Sequence, residues 1–169
     1  MNTVSDRHGS AVVTLPNDTE IVITRVFDAP ADLVFRAYTT PDLVTRWWGF
    51  ETSEWLVCDI DLRVGGTWRY VTREQTPEGP FEVGFHGEYR EIEPFERLVS
   101  TEAYEGIPDA DANAAVDTLT LTEVDGRTLM TVLVEHPTKE GRDAHIESGM
   151  EDGMQDAMDL LEEVAVSLP

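Results

Sequence analysis

The sequence predicts an α+β domain, an antiparallel sheet with its helices gathered on one face and a long helix at the C-terminus. Three observations lead to this. From Trp55 to Glu135, six runs of strand-forming residues follow one another with turn residues between them. The last two runs, 116–124 and 128–135, are joined by Asp125-Gly126, a dipeptide suited to the positive-φ positions of a tight hairpin. The segment from Lys139 to Ser167 then changes period. Ile146, Met150, Met154, Ala157, Leu161, Val164 and Leu168 recur every three or four residues, and Glu147, Glu151, Asp152, Asp156, Asp159 and Glu163 fall on the opposite side. Strands in series followed by one amphipathic helix make a two-layer α+β arrangement.

Taken in order, residues 1–18 read as a loose tail whose end, Ala11 to Leu15, is suited to adding an edge strand; residues 19–169 form the domain proper. The turn Pro16-Asn17-Asp18 leads into a β-branched first strand, Glu20 to Phe27. Two short helices follow. In the first, Pro30 stands where a first helical residue tolerates proline, and Leu33, Val34, Ala37 and Tyr38 share helical spacing. In the second, Thr40 is the N-cap, Pro41 the N1 residue and Asp42 complements the helix dipole. This helix is expected to carry Trp47 and Trp48 and to end at Gly49. The six strands are then Trp55–Leu62, Thr67–Arg73, Phe81–Ile92, Arg97–Tyr104, Val116–Val124 and Thr128–Glu135, about seven in all with the first. In the long strand, Phe81, Val83, Phe85 and Tyr89 share one face.

At 169 residues and 41% hydrophobic content, the chain suffices for one well-formed core. No apolar run reaches the roughly 18–20 residues that span a bilayer, and the N-terminus lacks the basic and apolar regions of a signal peptide. The single cysteine, Cys58, leaves no internal disulfide and no paired-cysteine metal or redox motif. A cytoplasmic location is the corresponding expectation. The formal net charge of −22 sets thirty-four acidic residues against twelve basic ones, of which only Lys139 is lysine. Such a field repels phosphates, so nucleic acid and anionic membranes are not expected partners. It matches a surface adapted to high salt, where the Debye length falls to about 3 Å at 1 M and acidic groups cease to repel one another.

The stretches TRVFDAPADLVFRAYTTPDLVTRWWG (24–49), DIDLRVGGTWRYV (59–71), FHGEYREIEPFERLVSTE (85–102), LTLTEVDGRTLMTV (119–132) and SGMEDGMQDAMDLLEEV (148–164) resemble the SRPBCC (START-like) superfamily. Within it, the chain is most similar to proteins related to the C-terminal domain of the heat-shock-protein-90 ATPase activator. The resemblance implies the helix-grip (START-like) fold, a curved sheet wrapped around the terminal helix with an apolar cavity between them. Its implications for activity are broader, since the superfamily holds lipid carriers, polyketide cyclases, antibiotic-binding proteins and a co-chaperone.

In that fold, Trp47, Trp48, Phe50, Trp68, Tyr70, Phe85 and Tyr89 lie in segments that face the helix or rim the cavity. Their indole and phenol groups want partners when buried, which suits them to anchor a flat or aromatic ligand. Met150 and Met154 belong to a methionine row beside Gly149, Gly153 and Ala157. Two glycines inside a helix cost roughly 1 kcal/mol each against alanine, so either close approach to the sheet or room for a ligand is expected there. Gly65-Gly66 lacks the spacing of a phosphate loop and is a hairpin turn. His86, His136 and His145 lack metal-ligand spacing, and no nucleophile motif occurs, so no catalytic residue, metal ligand or cofactor is assigned. His86 and Glu88 would serve as acid and base only if they pointed inward, opposite in phase to Phe85 and Tyr89.

The leading function is non-catalytic binding of a small hydrophobic or aromatic ligand between helix and sheet. The alternatives are a cyclase or dehydratase using the same cavity, and a chaperone-interacting protein of the ATPase-activator kind. Exposed edge strands and aromatics also admit a homodimer.

Overall fold

The computed structural model describes residues 9–50 and 52–169. Residues 1–8 of the expected loose tail lie outside them. Eight strands form one unclosed antiparallel sheet: β1 (Val12–Thr14), β2 (Glu20–Phe27), β3 (Glu54–Ile60), β4 (Thr67–Thr76), β5 (Gly79–Glu93), β6 (Arg97–Tyr104), β7 (Ala115–Val124) and β8 (Arg127–Glu135). Their order is β1-β2-β8-β7-β6-β5-β4-β3, so the chain begins near one edge, crosses to the other and returns by hairpins. The sheet and its terminal helix make the helix-grip fold expected from the sequence. The strand beyond the seven counted there is β1, whose three residues pair with β2.

The crossing between β2 and β3 is made by α1 (Ala31–Thr39) and α2 (Pro41–Val44). The second helix is shorter than expected. Its regular part ends at Val44, and Trp47 and Trp48 follow in turns whose amides both donate to the Val44 carbonyl. Gly49 then takes a left-handed φ of 89°, which ends the segment.

The terminal helix is also not continuous. It divides into α3 (Lys139–Glu147) and α4 (Met150–Ser167), with Gly149 between them at φ 81°. Gly149 therefore marks a break where the sequence suggested a helix interior, and its cost within a helix does not arise. At Gly153, a Cβ would meet only Phe50 Cε1, at 3.9 Å. Neither glycine brings the helix against a strand.

The core lies between the inner face of the sheet and the helices. Ile21, Ile23, Phe27, Leu119, Leu121, Met130, Val132 and Val134 face α1 and the second half of α4, where Leu161, Val164 and Ala165 are buried. Each large apolar side chain so buried contributes about 1.5–3 kcal/mol. A charged cluster that includes the buried Arg25 and Glu162 lies with them. Arg25 of β2 bonds the Met158 carbonyl and pairs with Asp159 (3.2 Å) and Glu162 (3.4 Å), while Glu162 also accepts from the Asp28 amide at 2.7 Å. This cluster fixes α4 on β2.

Candidate functional site on the inner face of the sheet

The other end of the inner face is aromatic. Antiparallel pairing sets Tyr70 of β4 opposite Phe85 of β5, and Phe85 opposite Tyr104 of β6. Trp48, carried over this row by the turn after α2, lies 5.3 Å from Tyr70, 5.5 Å from Phe85 and 5.5 Å from Trp55, centroid to centroid. Trp68 joins through Tyr70 at 4.7 Å. Such tilted and edge-on contacts place ring edges against faces, as aromatic quadrupoles favour. Gly87 is required beside them: a Cβ there would meet the Thr101 carbonyl at 1.8 Å and the Trp68 Nε1 at 2.5 Å. Without it the Trp68 indole can donate to that carbonyl, at 3.2 Å.

A second row carries the polar groups. Tyr89 of β5 pairs with Ser100 of β6, Ser100 with Asp117 of β7, and Asp117 with Val134 of β8. Glu102, two residues from Ser100 and on the same face, is a diagonal neighbour of Asp117. Burial followed by the Glu102 charge pushes Asp117 well above the usual carboxylate range. The Asp117 Oδ1 is inaccessible and has no hydrogen-bond partner among the described residues.

Three phenols lie at this end of the face. Burial pushes Tyr38 of α1 up first, with the charges of Asp117 and Glu102 adding to it. Tyr70 and Tyr89 are raised mainly by burial as well, and Tyr70 also feels Tyr89, Tyr38 and Glu102. Asp117 Oδ1, and none of the three hydroxyls, is the inaccessible unpartnered atom here. Trp48, Trp55, Phe85, Tyr38, Glu102 and Asp117 nonetheless keep part of their surface accessible. At the same end, His136 after β8 and His145 of α3 share a hydrogen bond of 3.0 Å. Burial, then His145, lowers the His136 pKa.

The structure thus groups Trp48, Trp68, Tyr70 and Phe85, with Tyr89 in the adjoining row. Trp47 stands apart, stacked on Tyr38 at 5.2 Å with its indole N–H donated to the Ala37 carbonyl at 2.9 Å. Phe50 is exposed (65%) beside Gly153. Met154 packs partly buried against the core. Met150 also lines a surface groove of about 330 Å³ with Val13, Leu15, Ile146, Gly149, Glu151 and Asp152. A second groove, of about 570 Å³, lies between the start of α1 and the β5–β6 turn, away from the aromatic row.

His86 faces outward, bonded to Glu105 (2.7 Å) and Asp111. Those two bonds, Asp111's first, raise its pKa. Glu105 falls to about 2, chiefly through its paired bonds to Arg69. Sequence reasoning missed Trp55, Tyr38, Glu102 and Asp117. Asp117 could have been found, since it occupies the same alternation phase as Ala115, Leu119 and Leu121.

Fold and inner face together define a helix-grip domain of the START-like class. The chain belongs to the family described as Activator of Hsp90 ATPase homolog 1-like protein, whose profile matches residues 28–165. Among solved structures, a protein from Rhodobacter sphaeroides is 27% identical, with 94% of this chain and 99% of that one aligned at a TM-score of 0.81. Protein NE0264 from Nitrosomonas europaea is 26% identical over 90% of this chain and 97% of its own, with a TM-score of 0.74. DynU16, from the dynemicin biosynthetic locus, shares the fold at 22% identity and a TM-score of 0.62; the match covers 88% of this chain and 47% of DynU16. Comparison with curated proteins finds no match. Among the described residues, no helix is long and apolar enough to cross a membrane.

Proposed function

We propose that this protein binds a small hydrophobic or aromatic molecule between α4 and the inner face of the sheet, and releases it unchanged. The observation that carries this reading is the Asp117 Oδ1, buried and unpartnered among the described residues, with the Tyr38 phenol near enough to feel its charge. Leaving a buried polar atom unsatisfied costs about 1–3 kcal/mol, a cost that a bound molecule meeting it would offset. The aromatic row beside it supplies the apolar wall that ligand sites combine with a few polar groups.

Mass spectrometry of an organic extract of the purified protein tests the reading. A hydrophobic compound should be recovered from the wild type and lost from Trp48→Ala. Equal recovery from both, or none from either, would refute it.

One observation favours a second reading, an enzyme of the cyclase or dehydratase kind. An inward carboxyl whose pKa is pushed up by burial and then by a neighbouring acid, like that of Asp117, suits a general acid. Under that reading the recovered compound is converted on incubation with fresh protein; under ours it is not. A chaperone-related role rests on the family's description alone.

A further inference from the structure

We propose that the ligand is an amine, with an apolar or aromatic body against Trp48, Tyr70 and Phe85 and a protonated nitrogen against Asp117 and Glu102. This deepens the binding reading above and rests on it.

Acceptors outnumber donors around the two acids. Asp117 and Glu102 are diagonal neighbours on the inner face, and the Asp117 Oδ1 is buried without a partner among the described residues. Among the described residues, no Arg or Lys forms a salt bridge with either carboxyl. Two carboxylates this close cannot both ionise unless a positive charge joins them. The nearby bases do not supply it, because His136 and His145 use their facing nitrogens on each other and burial disfavours the charge on His136.

An alcohol or phenol would satisfy one oxygen and leave the charge problem unchanged. A carboxylate ligand, such as a fatty acid, would worsen it. An ammonium group brings up to three donors and the missing charge together, and charge-assisted bonds are roughly twice as strong as neutral ones. The surroundings suit the same group. The charges of Asp117 and Glu102 act on the Tyr38 phenol, Glu102 also acts on Tyr70, and Tyr70 is in ring contact with Trp48. Electron-rich ring faces attract a cation within about 6 Å.

The pocket's own preference must be separated from the attraction that a chain of net charge −22 exerts on any cation. At about 1 M salt the surface field is screened and a buried pairing is not.

The test compares three probes of similar size by calorimetry at about 1 M salt: 2-phenylethylamine, 2-phenylethanol and 3-phenylpropanoate. The wild type should bind the amine about tenfold or more tightly than the alcohol, with the acid weakest. Asp117→Asn and Glu102→Gln should each remove most of the amine's advantage over the alcohol. Two near-isosteric variants, checked by circular dichroism, keep the comparison available if one fails to fold. An alcohol or acid that binds the wild type as well as the amine, or an amine preference that survives both substitutions, would overturn the proposal while leaving the binding site standing. Failure of all three probes to bind the wild type would overturn the site and the amine together.

Discussion

Two buried polar clusters lie on the inner face of this sheet, and they are built on opposite rules. Around Arg25, opposite charges meet: the guanidinium bonds Asp159, Glu162 and the Met158 carbonyl, and Glu162 also takes the Asp28 amide. Around Asp117, two acids adjoin with no basic partner among the described residues, and one oxygen has no partner. The first cluster sits where α4 packs onto β2, and the second where the aromatic row leaves accessible surface. A satisfied buried network specifies how elements dock, whereas an unsatisfied one costs stability and points to something outside the chain.

The largest effect should come from breaking the Arg25 cluster. Arg25→Met strands the fully buried Glu162 and should cost about 3–5 kcal/mol, read from urea unfolding. A cost below about 1 kcal/mol would mean that this cluster is no more structural than a surface pair.

The Asp117 cluster should answer with the opposite sign. Asp117→Asn keeps a donor toward Glu102 and removes an ionisable group from a site that disfavours its charge. It should raise stability at neutral pH by on the order of 1–2 kcal/mol. The pH dependence follows from the raised carboxyl of Asp117. In the wild type, the folded chain holds a proton that the unfolded chain has already released above the ordinary aspartate value of about 4. Stability therefore declines as pH rises from there toward the folded value, and the variant should lose that part of the decline. Parallel melting curves of the two proteins across this range would contradict the assignment.

The smallest effect concerns the start of α4, the helix that the Arg25 cluster fixes on β2. Gly149→Ala forces an L-residue into the left-handed region and should cost about 1–2 kcal/mol, measured by thermal melting. A neutral result would indicate that α3 and α4 join as one helix in solution.

Most of the frame was legible in the sequence because it is written in local chemistry. Asp125-Gly126 does turn β7 into β8, with both residues at positive φ, and alternation located the long strands. Gly149 misled because its neighbours keep helical spacing on both sides, and only its φ reveals the break. Trp47 and Trp48 are adjacent in sequence and look equivalent, yet one indole is used internally and the other faces the aromatic row. That difference is set by turn geometry. The Asp117–Glu102 contact is a diagonal across two strands, so it depends on register that no single segment carries.

The unclosed sheet has one more consequence, for how copies of the chain meet. Open sheets carry two rows of backbone groups that can template pairing with another molecule, and long flat edges are aggregation hazards. Here, one edge is β1, only three residues long. The other, β3, is interrupted between Trp55 and Val57 by a bulge and carries Glu54 and Asp59. Short length, a bulge and like charge are three guards against edge-to-edge addition, and a second copy approaching either side would find little straight backbone to extend.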